Sequence, residues 1–175
     1  MAEFNISPYA RSLGPDFEYG DRISVVLDST IKNAQQTQAG NGNSSQFFSY
    51  LDYRESIERS ISNMLSESFE EIIFEEEAQE NGLVLYVYRI TPKIKAGEFI
   101  EEEQQAIEFV FDYDMSLSYD QSMIANAVGY DAHPVVSSPR YNRIKNNWED
   151  LAQASLKLVL EDCYNQLFVV GLAEH

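Results

Sequence analysis

The most regular stretch of the chain lies between Ile107 and Tyr119. Ile107, Phe109, Phe111, Tyr113, Met115, Leu117 and Tyr119 fall at every second position, and Glu108, Asp112, Asp114, Ser116, Ser118 and Asp120 oppose them. A period of two sends successive side chains to opposite faces of a strand, so this segment predicts one face in a core and the other in water. Shorter runs predict further strands. Arg22 to Leu27 alternates through Ile23, Val25 and Leu27, and Glu70 to Phe74 (EEIIF) is a brief edge strand. Leu83 to Thr91 (LVLYVYRIT) is β-branched and aromatic on both faces, which suits a central position closed by Pro92. Met123 to Tyr130 predicts a return strand with Gly129 near its end.

The period changes to that of a helix in two places. Ile57, Ile61, Met64, Leu65 and Phe69 share one face, which predicts a helix from Tyr50 to Phe69 with Asp52 near its positive end. Ile144, Trp148, Leu151, Ala152, Ser155, Leu158 and Val159 form the stripe of a longer helix from about Asn142 to Leu167. Residues 1–20 hold Pro8, Gly14, Pro15 and Gly20 without a period and predict an extended arm. The polar stretch from Ala34 to Gln46 (AQQTQAGNGNSSQ) has too little apolar surface to offset the entropy of ordering it and predicts a mobile loop. His133 to Tyr141, with two prolines, predicts another loop. One α+β domain over 21–170 follows, with 171–175 as a tail. The expected architecture is a two-layer sandwich: an antiparallel or mixed sheet of about four to five strands with two long helices on one face.

Charge narrows the partners. Twelve basic residues face 29 acidic ones, a net charge of -17, which repels phosphate backbones and anionic headgroups and argues against nucleic acid. No run approaches the ~18 apolar residues of a membrane span. Cys163 is the lone cysteine, so neither an intrachain disulfide nor a cysteine-rich zinc site is expected.

The residues that carry chemistry are sparse. His133, before Pro134 in a predicted loop, and His175, the last residue, are the two histidines, and neither has the setting of a catalytic base. Asp112, Asp114 and Ser116 have the spacing of the first ligands of a calcium loop, but Leu117 and Met123 stand where that loop needs its glycine and its glutamate. No catalytic residue, cofactor or metal ligand is therefore assigned. Phe47, Phe48, Tyr50 and Tyr53 cluster where the polar stretch meets the first helix. Aromatic anchors beside adaptable polar residues suit a partner contact, and stapling the helix start to the core is the alternative.

The order of elements is ISVVLDS, polar loop, helix, EEIIF, LVLYVYRI, IEFVFDYDMSLSYD, a strand reaching VGYD, and NWEDLAQASLKLVLEDCYNQLF. It resembles the small periplasm-facing lipoprotein domains of bacterial outer membranes. These include the lipopolysaccharide-assembly lipoprotein, YajG-like lipoproteins and auxiliary lipoproteins of transport systems. The resemblance covers about Arg22 to Leu167 and rests on pattern. It implies a non-enzymatic binding or assembly module of the cell envelope, in the periplasm, contacting another envelope protein through a sheet edge or the Phe47 to Tyr53 region, or a second copy by edge pairing. It also implies a lipid anchor, but this N-terminus has no modified cysteine, so the anchor would belong to the natural precursor. The net charge of -17 argues against gripping an anionic glycolipid. Two other classes stay open: a hydrolase using acidic residues or a divalent ion, and a structural subunit of a larger assembly.

Overall fold

The computed structural model describes residues 2–4, 20–39, 46–79, 81–101, 104–137 and 141–172. Its larger sheet has five strands: β2 (Gly20–Leu27), β5 (Phe69–Glu75), β6 (Leu83–Glu101), β7 (Gln104–Tyr119) and β8 (Ser122–Ser137). They lie in the order β5-β2-β6-β7-β8. β2 runs parallel to β5 and β6, while β6, β7 and β8 form an antiparallel meander, so the sheet is mixed. Helix α1 (Tyr53–Leu65), helix α2 (Tyr141–Tyr164) and the π-helical segment Asn165–Gly171 lie on one side of it. This is the expected α+β arrangement.

The core sits between sheet and helices. Ile23, Val25 and Leu27 of β2, Leu85 and Val87 of β6, and Phe111, Tyr113, Met115 and Leu117 of β7 point into it. The α1 stripe of Ile57, Ile61, Met64 and Leu65 is wholly buried, as its spacing required. In α2 the buried stripe runs through Ala152, Leu156, Val159, Leu160 and Cys163, and Leu158 of the predicted stripe is exposed. The side chains of Ile144, Trp148 and Leu151 lie outside the described residues.

Several expectations change where strand pairing supplies what composition did not. Gln35–Ala39, inside the predicted loop, is strand β3, paired antiparallel with β4 (Gln46–Tyr50). β4 also pairs parallel with β1 (Ala2–Phe4), within the predicted arm, to complete a three-stranded sheet. Glutamine and threonine side chains bury little, but ladder hydrogen bonds do not depend on side-chain polarity. Pro92 does not close β6. Pairing with β2 stops at Leu27 and Val87, so Pro92 sits where β6 keeps β7 alone as its ladder partner in that sheet, a place where a missing N–H is tolerated. In the same way β8 runs through Pro134 to Ser137, over the predicted 133–141 loop, because it is an edge strand. Helix α1 is shorter than expected at both ends. Asp52 precedes it: its carbonyl accepts the first helical hydrogen bond, from Ser56 N at 2.9 Å, and its side chain makes no cap bond.

Candidate functional site

The two edges of the larger sheet differ in chemistry. β5 carries Glu70, Glu71 and Glu75 and runs on into Glu76 and Glu77. Arg22 on β2 lies 4.0 Å from Glu71, a pair too exposed and too long to add much stability, and 3.9 Å from the half-buried Glu75. Acidic side chains along an edge deter a further strand from pairing there. β8 has no charged residue before Asp131. Met123 and Val128 on it are 66% and 53% exposed.

Other exposed apolar side chains gather around β8. Tyr119 ends β7 at the turn into β8, and Val169 and Val170 belong to the π-helical segment packed on β8. That packing is close: a Cβ on Gly171 would collide with the Ala125 side chain and stand 3.0 Å from the Gln166 carbonyl. Backbone therefore lies directly on the small residues of the strand. Tyr113 of β7, which pairs with Gly129 of β8, donates to Asp162 of α2 and ties the helix to the same two strands.

The face of the sheet away from the helices carries a second feature. Tyr86 and Tyr88 stack with centroids 5.7 Å apart and planes within 6° of parallel. Ser116 donates to the Tyr88 hydroxyl at 3.2 Å and is itself buried, so the predicted polar face of β7 is only partly in water. Asp112 on that face pairs with Lys93. Among the described residues no group of three or more His, Cys, Asp or Glu side chains is placed to hold a metal ion. At one end of this face lies a shallow depression of about 310 Å³, lined by Ala78, Gln79, Val84, Tyr86, Ser118 and Gln121.

The aromatic cluster singled out from the sequence divides. Tyr50 and Tyr53 are each 1% exposed, with rings packed edge to face at 5.6 Å, which is the stapling alternative. The Tyr53 hydroxyl donates to the Ile90 carbonyl at 2.6 Å, and burial followed by the neighbouring Tyr50 raises its pKa well above the ordinary tyrosine value. The side chains of Phe47 and Phe48 lie outside the described residues; their backbone belongs to β4. Arg54, next to Tyr53 in α1, is a structural latch, donating to the carbonyls of Asp28 at 3.1 Å and Ile31 at 2.8 Å and to Glu58 at 3.1 Å. Hydrogen bonds from the Thr30 hydroxyl and amide hold the Asp28 carboxyl below its usual range. Sequence reasoning expected a contact at a sheet edge and a strand over Met123 to Tyr130, but did not identify that strand as the edge. The absence of charge from Ser122 to Tyr130 was the signal that could have found it.

No family model matches this chain, and no curated protein matches it significantly. Among solved structures, a Xanthomonas campestris protein of the family DUF330 superposes with a TM-score of 0.53, at 12% identity, over 98% of each chain. The two share a fold. Lower likenesses are to a minor lipoprotein of Acinetobacter baumannii and to lipoprotein B of Nitrosomonas europaea. The first has 9% identity over 79% of this chain and 89% of that one, with a TM-score of 0.46. The second has 8% identity over 91% of each, with a TM-score of 0.45. No helix among the described residues is long and apolar enough to cross a membrane.

Proposed function

We propose that this chain is a non-enzymatic binding or assembly module of the bacterial cell envelope, engaging another protein by strand addition along β8. The observation that carries the reading is the asymmetry of the sheet: one edge is lined with glutamates and the other is uncharged from Ser122 to Tyr130, with Met123 and Val128 exposed. A bare edge offers backbone donors and acceptors to an incoming strand, and alternate side-chain contacts give selectivity. The envelope setting draws on the order of elements, which resembles periplasm-facing lipoprotein domains, and on a fold shared with a bacterial protein. In this reading a lipid anchor on the natural precursor holds the domain at the periplasmic side of the outer membrane. Phe47 and Phe48 form a second, smaller contact.

The test places a photo-crosslinking residue at Met123, Val128 or Glu71 in living bacteria. Crosslinks to one envelope protein from the two β8 positions, absent from Glu71 and abolished by Asn126→Lys, support the proposal. Equal crosslinking from Glu71, or capture unaffected by Asn126→Lys, removes the β8 edge as the binding surface. Replacing Phe47 and Phe48 with Ser in the same assay tests the second contact.

A further inference from the structure

We infer that the depression on the open face of the sheet, beside the start of β8 and not on its outer edge, is a binding site for a neutral sugar ring. All six lining residues are uncharged although the chain carries a net charge of -17, so the site is not built to recognise a charged group. It offers an aromatic ring, a hydroxyl and two amide side chains, a set that matches the apolar face and the hydroxyl rim of a pyranose.

The arrangement is held in place before any ligand arrives. Val84, Tyr86 and Tyr88 follow one another at alternate positions of β6, so Tyr88 stacks on one side of Tyr86 and the depression opens on the other. Ser116 fixes Tyr88 through its hydroxyl. On one rim, Gln79 donates its amide N–H to Glu75 at 2.6 Å, which orients the amide. The turn carrying Gly82 is tied to the β7–β8 turn, with Gly82 N donating to Asp120 Oδ1 at 2.7 Å and Asp120 N donating to Gly82 O at 3.1 Å. Two loops thus close one end of the depression together.

Gln121 is the informative residue. Tyr119 pairs with Ser122, so Asp120 and Gln121 form a two-residue hairpin turn, with φ of 46° and 69°. Such turns take glycine at the second position because a side chain there meets steric resistance. A glutamine held in that strained conformation, with its side chain lining a depression, is what retention for binding produces. Asp120, by contrast, is explained by its hydrogen bond to Gly82.

The experiment titrates the isotope-labelled full chain with maltose, lactose and N,N′-diacetylchitobiose, followed by two-dimensional NMR. At least one sugar produces saturable shifts in the side-chain amides of Gln79 and Gln121 and the backbone amides of Tyr86 and Ser118. Gln121→Gly relieves the turn and raises Tm by about 2–4 °C, yet weakens that sugar's binding by at least about tenfold, or ~1.4 kcal/mol. Tyr86→Leu weakens it similarly, while Tyr86→Phe keeps it. Absence of saturable shifts with all three sugars, shifts confined to another surface, or undiminished binding by Gln121→Gly overturns the inference. Crosslinking at β8 is a separate readout, so either proposal can fail without the other.

Discussion

The strands at the two ends of the larger sheet, β5 and β8, meet the same solvent with opposite surfaces. β5 is short, follows α1 directly and carries glutamates at its start and end; β8 is long, uncharged over its first half and flanked by Tyr119, Val169 and Val170. In a chain where acids outnumber bases 29 to 12, an uncharged edge is a departure from the average surface. Edge strands left bare invite pairing, and charge is a common guard against it. Among the described residues, the difference therefore separates an edge guarded by charge from one without that guard over its first half. It also separates how each is supported. The core faces of β5 rest on side chains such as Ile72 and Phe74, whereas β8 lies under the backbone of the π-helical segment at Gly171.

The largest effect is expected from breaking that support. Gly171→Leu forces a side chain into space already held by Ala125 and the Gln166 carbonyl, so the segment must lift from β8. Overpacking of this kind costs about 3 kcal/mol, measurable by urea unfolding. Hydrogen exchange gives the sharper reading: amides of β8 lose protection ahead of those of β5. Equal loss along both edges would mean that the π-helical segment stabilises the sheet as a whole and gives β8 no separate support.

A smaller effect comes from removing the guard on the other edge. Glu70→Thr with Glu71→Thr leaves β5 with β-compatible neutral residues and takes from Arg22 one of its two partners. Self-association measured by sedimentation should tighten by about tenfold, near 1.4 kcal/mol, with little change in unfolding free energy because the pair of Arg22 with Glu71 is exposed. Unchanged sedimentation would show that the remaining acidic field, and not these two residues, keeps β5 unpaired.

Most of the fold was legible in the sequence, and the reasons are local. The period-two run through β7 and the helical spacing in α1 each fix which face is buried, so strand, helix and core followed together. What was missed depends on neighbours. Gln35–Ala39 reads as loop because nothing in its composition shows that Gln46–Tyr50 will pair with it, and Pro92 reads as a terminator because its place beyond the β2 ladder is a property of the assembled sheet. The aromatic cluster was visible, but burial of Tyr50 and Tyr53 depends on how the core folds over them. The strain at Gln121 is a backbone angle that no spacing encodes.

The interior between the edges is held by a contact that belongs to neither, and this gives the last and smallest expected effect. Tyr53, the first residue of α1, donates to the Ile90 carbonyl of β6, just beyond the point where β6 loses β2 as a partner. Tyr53→Phe removes the donor and with it this buried hydrogen bond to the Ile90 carbonyl, for a loss of about 1 kcal/mol at neutral pH. The pH dependence follows from the direction of the shift. Burial raises the pKa of this hydroxyl, so the folded state favours the neutral form. Its contribution is complete below the ordinary value, near 10, and is lost as pH rises from there through the folded value. Wild type should lose stability above that point faster than Tyr53→Phe, and the gap between them should narrow. Crosslinking from Met123 and Val128 should be the same in both proteins at neutral pH, since the bond lies away from β8. A gap that stays constant into the alkaline range would mean that Tyr53 does not titrate on unfolding, and that its hydrogen bond is its whole contribution.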